Sequence, residues 1–215
     1  MKKTKPERTY NNIDSWFFYE NDVSSITIGS KTTMKCETIK MFAVLAEVDI
    51  LGKFATQLES LEKLEELSLF RWVIRIRIKM PMTFDNREVV VLGFGFVDPS
   101  DKTIYLPFRS IDKNHYSDLI CPEEEQNYKR IDINYGFFHL TIIDDKTVEL
   151  INCYNVDPKV PVIPWVILNT FLKEISYYIM EDLKKQIENV EFGLYEERIK
   201  KNQKFYDSLY NRVKK

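Results

Sequence analysis

Residues 165–190, WVILNTFLKEISYYIMEDLKKQIENV, carry an apolar side chain at every third or fourth position: Trp165, Leu168, Leu172, Ile175, Ile179, Leu183, Ile187 and Val190. That period puts them on one face of a single long helix, and such a face must be buried against something. Upstream, WVIRIRIK at 72–79 has period two instead, with Trp72, Ile74, Ile76 and Ile78 on one side and Arg75, Arg77 and Lys79 on the other. This is the pattern of a half-buried strand, stopped by Pro81. Residues 88–97, 103–111, 129–134, 135–143 and 148–156 read as further strands, with turns at Asp98-Pro-Ser-Asp101 and Asp144-Asp-Lys146. Sequential strands with tight turns predict a curved antiparallel sheet, and the helix predicts what covers it, an α+β arrangement.

Nearer the N-terminus, Ser25–Gly29 and Thr32–Ile39 alternate around Gly29-Ser30 and read as two short strands with a turn. Helical spacing follows in Met41, Val44, Leu45, Val48 and Leu51, and Phe54, Leu58, Leu61 and Leu64 continue it, so one or two helices are expected here. Beyond Gly193, a poor residue for a helix interior, a more charged helix carries Ile199, Phe205, Leu209 and Val213.

A chain of 215 residues that is 44% hydrophobic and 13% aromatic can fill a sizeable core. Its net charge of −2 gives no global pull toward nucleic acid, but both ends are basic. Lys2, Lys3, Lys5 and Arg8 stand in the first ten residues, and seven basic residues against Asp207 alone run from Arg198 to Lys215. Cys36, Cys121 and Cys153 are odd in number and far apart, which suits neither a disulfide framework nor a CxxC metal site and points to a reducing compartment. No apolar run has the length of a membrane span, and no apolar stretch follows the first lysines. A cytoplasmic protein, or one peripheral to a membrane, is expected.

Catalytic parts are few. Two histidines, His115 and His139, exclude a three-histidine metal site, and no HExxH, GxSxG, GxxxxGK[ST] or GxGxxG string occurs. Cys153 and His139 could approach across a hairpin, but a buried cysteine and an unrelated histidine account for them more simply. Gly93 and Gly95 share a strand face with Val89, Val91 and Val97; a ligand approaching closely or a sheet bend explains the pair equally well. The row Arg75, Arg77, Lys79 reads as a solvated face, with recognition of an anionic headgroup as the alternative.

Three stretches resemble the START family of StAR-related lipid-transfer domains. Ala46-Glu-Val-Asp-Ile-Leu-Gly-Lys53 is similar to the helix before the family's "kW" position, with Phe54 where tryptophan is usual. Lys79-Met-Pro-Met-Thr-Phe-Asp-Asn-Arg-Glu-Val-Val90 looks like its "RD" strand start, with Glu88 replacing the aspartate. Asn155-Val-Asp-Pro-Lys-Val-Pro-Val-Ile-Pro-Trp-Val-Ile-Leu-Asn169 is similar to the "DP…iP.w..N" approach to the last helix. The likeness spans roughly Trp16 to Val190. It divides the chain into a basic lead (1–15), a START-like lipid-binding domain (16–190) and a basic helical extension (191–215).

The resemblance implies a helix-grip fold, in which a curved antiparallel sheet wraps the C-terminal helix around an internal apolar cavity for one lipid. It also implies no catalysis, cofactor or metal. Some sterol-binding members place an arginine where Gly93 stands here, which removes that basis for a sterol. Expected lipid-binding residues are Trp165, Leu168, Leu172, Ile175 and Ile179 on the helix, Val91, Gly93 and Gly95 on the sheet, and His139, Asn152 and Tyr154 as polar groups of the last hairpin. The ligand would be a phospholipid, sterol or sphingolipid, carried between membranes. The rival reading is a START-like fold serving as a structural or protein-interaction subunit of a larger assembly. Residues 194–215 are expected to meet an anionic membrane surface or an acidic protein partner.

Overall fold

The computed structural model describes residues 8–19, 25–80, 84–98, 100, 103–112, 114, 116–159, 165–189 and 193–214, with the side chains of 165–173, 189 and 214 outside that description. Residues 1–7 of the basic lead, His115, Pro161, Pro164 and Val190 therefore lie outside the described residues. In chain order the elements are β1 (Arg8–Tyr10), β2 (Ile13–Tyr19), β3 (Ile26–Lys35), α1 (Thr38–Ala46), α2 (Val48–Phe54), β4 (Leu58–Ser68), β5 (Arg71–Ile78) and β6 (Asn86–Phe94). They continue with β7 (Phe96–Asp98), β8 (Thr103–Ser110), β9 (Tyr128–Arg130), β10 (Asp132–Asp144), β11 (Thr147–Asp157), α3 (Trp165–Asn189), α4 (Gly193–Lys201) and α5 (Gln203–Lys214).

One sheet contains all eleven strands, in the order β1-β2-β3-β11-β10-β8-β6-β5-β4, with β7 beside β8 and β9 beside β6. Every pairing is antiparallel except β6 with β9. The chain closes its first hairpin through Asn11 and Asn12, both at positive φ (49° and 60°), the conformation a two-residue hairpin turn demands. Thr32 donates its hydroxyl to the Asn12 carbonyl at 2.7 Å and fixes that turn against β3.

Two sequence expectations fail here for physical reasons. Gly29-Ser30 is no turn, because β3 runs unbroken through it; the glycine leaves room for the Trp16 indole, which a Cβ at this position would meet at 2.7 Å. Leu58–Ser68 is no helix but an edge strand paired with β5. Its leucines recur every third residue because bulges after Leu58, Lys63 and Glu66 each insert a residue into a period of two. Leu58 and Leu61 consequently face inward, while Leu64 and Leu67 join the outer cluster of Val73, Val90, Leu92 and Ile111.

Helix α3 buries Tyr177, Met180, Leu183 and Ile187 in a core that also takes Met41, Phe42 and Val44 of α1. β1 straps it from outside: Arg8 donates to Glu174 at 3.0 Å and lies 4.2 Å from the Tyr177 ring centre. The last two helices belong to the same core. Tyr195, Phe205, Tyr206, Leu209 and Val213 are all buried, and Arg198 reaches Glu47 and Asp49 at 3.4 and 2.6 Å. The apolar face expected to be free for a membrane is thus covered within the chain, and acidic partners of Arg198 are residues of the same chain. No described helix is long and apolar enough to cross a membrane.

Candidate functional site

The inner face of the sheet and the underside of the helices do not meet fully, and they enclose a cavity of about 410 Å³. Strand alternation decides what lines it. Trp72, Ile74, Ile76 and Ile78 of β5, Val89, Val91 and Gly93 of β6, Leu106 and Phe108 of β8, Phe138 and Leu140 of β10, and Tyr154 and Val156 of β11 all point inward. Ile175, Ile179, Asp182 and Leu183 of α3 form part of the opposite wall, with Leu45, Val48 and Leu51 from α1 and α2. At one end stand Gln57, Met80, Phe84 and Pro158, and at the other Phe70, Phe94, Phe96 and three residues of α5: Phe205, Leu209 and Arg212. The volume falls in the range of small-molecule sites and the lining is almost wholly aliphatic and aromatic.

Of the residues expected from sequence, Ile175, Ile179, Val91, Gly93, Gly95 and Tyr154 line the cavity. Trp165, Leu168 and Leu172 lie on α3, but their side chains are outside the described residues. His139 is not among the lining residues: it sits between Phe138 and Leu140, which point inward, so it lies on the other face, its ring 4.8 Å from that of Tyr105. Asn152 is buried in the wall without lining it. Its Oδ1 accepts from the Ser30 amide at 2.9 Å and hydroxyl at 2.7 Å, which ties β11 to β3. Tyr154 puts a hydroxyl among apolar groups, and burial raises its pKa above the ordinary phenol value, offset in part by the Asn152 amide nearby.

Gly93 and Gly95 serve the cavity wall through space. A Cβ at Gly93 would touch Phe108 at an ordinary 3.5 Å, and one at Gly95 would press Leu106 at 3.0 Å. The strand also breaks at Gly95, whose amide turns to the Phe70 carbonyl at 2.8 Å, which is the sheet irregularity expected of the pair.

Of the charged row on the outer face of β5, Lys79 is exposed as expected, whereas Arg75 and Arg77 are half-buried in ion pairs. Arg75 and Arg77 converge with Arg130 on Glu88, which has no exposed surface; the contacts are 4.0, 2.9 and 2.6 Å. Glu125 and Glu62 complete the network, so Arg75 and Arg77 are already engaged by acids of the chain. The neighbouring Arg87 donates to the carbonyls of Pro158, at 3.0 Å, and Asp85. The arginine and acid that resemble a motif are therefore bracing, one toward the lead-in to α3 and the other toward the β9 side.

Nucleophilic chemistry finds no support in Cys153, whose thiol burial pushes up to about 11. It sits opposite Phe137 and Gly29, while His139 faces Ile151. No group of three or more His, Cys, Asp or Glu side chains among the described residues is placed to hold a metal. Sequence reasoning missed Gln57, Asp182 and the α5 residues. For Asp182 a signal existed, since it stands seven residues after Ile175 and three after Ile179, on the face that points into the cavity.

No family model matches the chain, and no curated protein matches it. Solved structures do. The crystal structure of human STARD10 is similar with a TM-score of 0.72 at 14% identity, over 92% of this chain and 76% of that one. Human StAR-related lipid transfer protein 5 gives 0.72 at 12% identity, over 85% of each chain. A STAR-related lipid transfer protein fragment from Xanthomonas axonopodis gives 0.66 at 13%, over 85% of this chain and 97% of that one. The fold is the helix-grip α+β fold of START domains, with the large antiparallel sheet and the long C-terminal helix in the same arrangement.

Proposed function

We propose that this protein binds one lipid-like molecule in the cavity beneath α3 and carries it without catalysis. The observation that carries the reading is the cavity of about 410 Å³, lined by aliphatic and aromatic groups inside a fold whose solved examples include proteins named for lipid transfer. Such a lining removes acyl or ring carbons from water, a gain of about 0.8 kcal/mol per methylene. The rival scaffold reading would favour a filled interior, and the open cavity weighs against it. In this reading the binding unit includes α4 and α5, because Phe205 and Leu209 form part of the wall. The protein works in the cytoplasm and meets membranes peripherally, exchanging ligand as α3 and the adjoining loops move.

The test is native mass spectrometry of the purified full chain followed by lipid extraction, with Ile175→Asp as the comparison. An unpaired charge on the cavity wall is costly to retain beside an apolar ligand, so the variant should lose the bound mass while keeping its circular dichroism spectrum. Equal retention by a folded variant, or a wild-type protein that carries no lipid and takes none up from vesicles, refutes the proposal. Movement of a fluorescent lipid between two vesicle populations then separates a carrier from a holder.

A further inference from the structure

The cavity has one feature that an apolar ligand does not explain. Asp182 is 8% exposed and faces the space from α3. Its Oδ2 accepts two hydrogen bonds from Thr56, from the backbone amide at 2.8 Å and the hydroxyl at 2.6 Å. Among the described residues its Oδ1 has no hydrogen-bond partner, and no lysine or arginine is paired with the carboxylate. The cations one turn along pair elsewhere, Lys185 with Glu181 and Lys184 with Glu188. A carboxylate held on one oxygen by Thr56 leaves its other oxygen able to accept from a donor in the cavity. Beside it, Gln57 also lines the cavity, with a side-chain amide that makes no hydrogen bond among the described residues.

Position adds to the chemistry. Thr56 is exposed, so Asp182 stands where the cavity meets the surface, while Ile175, Ile179, Ile76 and Val91 extend inward from it. An amphiphile that laid its carbon skeleton along those groups would leave its head beside Asp182. We infer that the head is a hydrogen-bond donor, a hydroxyl or an amine, held by Asp182 Oδ1 with the Gln57 amide alongside, and that an acidic head is rejected there. This rests on the lipid-binding reading and narrows it to neutral or amine-headed amphiphiles. A carboxylate or phosphate head would meet the like charge of Asp182, since Lys184 and Lys185 on the same helix already pair with Glu188 and Glu181. The nearest alternative is Arg212, which lines the opposite end over the Phe70 ring, 5.0 Å from its centre.

The experiment uses the delipidated full chain loaded with 1,6-diphenylhexatriene, an apolar fluorescent reporter with no polar head. Hexadecanol, hexadecylamine, hexadecanoate and hexadecane compete with it, below their aggregation concentrations. The alcohol and the amine should displace the reporter at roughly tenfold lower concentration than hexadecanoate, the worth of a hydrogen bond to a charged group. In Asp182→Asn the side-chain oxygen still accepts from Thr56 and the amide nitrogen turns a donor to the cavity. That variant should bring the ratio to within about threefold, each competitor being referred to the reporter affinity measured for the variant itself.

Equal competition by all heads in wild type, or tighter binding of hexadecanoate, overturns the inference whether or not the variant folds. An unchanged ratio in a folded Asp182→Asn protein overturns it as well. Failure of the reporter to bind wild type at all refutes the cavity reading itself and this inference with it, whereas normal reporter binding with the wrong preference refutes only the head assignment.

Discussion

Replacing Phe205 by alanine tests whether the last helix belongs to the core. The ring is 4% exposed, with centroids 5.3 Å from Phe70, 5.8 Å from Trp72 and 5.0 Å from Tyr206. Phenylalanine-to-alanine changes in cores cost about 3–5 kcal/mol, and the low end applies here because one side of the ring already borders a cavity. At about 3 kcal/mol, and roughly 2–4 °C per kcal/mol for a chain of this size, Tm should fall by about 6–12 °C. Thermal unfolding of delipidated protein followed by far-ultraviolet circular dichroism measures it, since bound ligand would mask part of the shift. A fall of less than about 2 °C would mean that α5 is undocked in solution. The competing view, in which Phe205 serves a membrane surface, predicts an unchanged Tm and weaker sedimentation with anionic vesicles.

Gly29→Ala should destabilise by about 1–3 kcal/mol in urea and shift tryptophan emission, because the new methyl group would lie 2.7 Å from the Trp16 ring; an unchanged emission spectrum would count against that contact. Glu88→Ala, which strips the buried acid from between Arg77 and Arg130, should cost about 3 kcal/mol, and a loss under 1 kcal/mol would show the network to be dispensable. Of the three cysteines, Cys121 alone should react promptly with a thiol reagent at pH 8, since burial pushes Cys36 and Cys153 to about 11; unfolding in urea should release the other two. Because these thiols sit above their ordinary value of 9.0 in the folded protein, their contribution to stability is complete below pH 9 and is lost as pH rises through about 11, which alkaline urea titrations of a Cys36→Ala, Cys153→Ala variant would remove.

Elements whose local period matched their tertiary role could be read directly. The alternation of β5 follows one period from end to end, the hairpin closed by Asp144-Asp-Lys146 keeps its alternation from Tyr135 to Ile142, and α3 keeps its stripe from Ile175 to Ile187. β4 could not be read, because bulges convert a strand into a three-residue period that mimics a helix. Gly29 misled in another way: its small size answers Trp16 on the neighbouring strand, a contact that no window around Gly29 contains. The site followed the same division. Val91, Ile175 and Ile179 were reached through periodicity and Gly93 through the cost of glycine in a strand, whereas Tyr154 and His139 were both chosen for being polar in mid-strand; Tyr154 lines the cavity, and one residue of register sends His139 to the outer face.

The tail shows the limit of amphipathic pattern most directly. Phe205, Leu209 and Val213 make a stripe that a membrane surface and a protein core would both require, so spacing says that the face is covered and not what covers it. What decides is complementary residues elsewhere in the chain. Phe70 and Trp72 at the β4–β5 end present aromatic rings with room beside them, and Glu47 and Asp49 between α1 and α2 present carboxylates within reach of Arg198 and the Tyr206 hydroxyl. Once these are matched, the basic side chains left on the outside, among them Lys201 and Lys204, attract an anionic surface chiefly by charge, with Leu194 and Tyr210 the large apolar side chains still exposed on the described part of these helices. Any membrane contact through this tail must then weaken steeply with salt, and the lipid would pass through another opening or require α5 to lift away from Phe70.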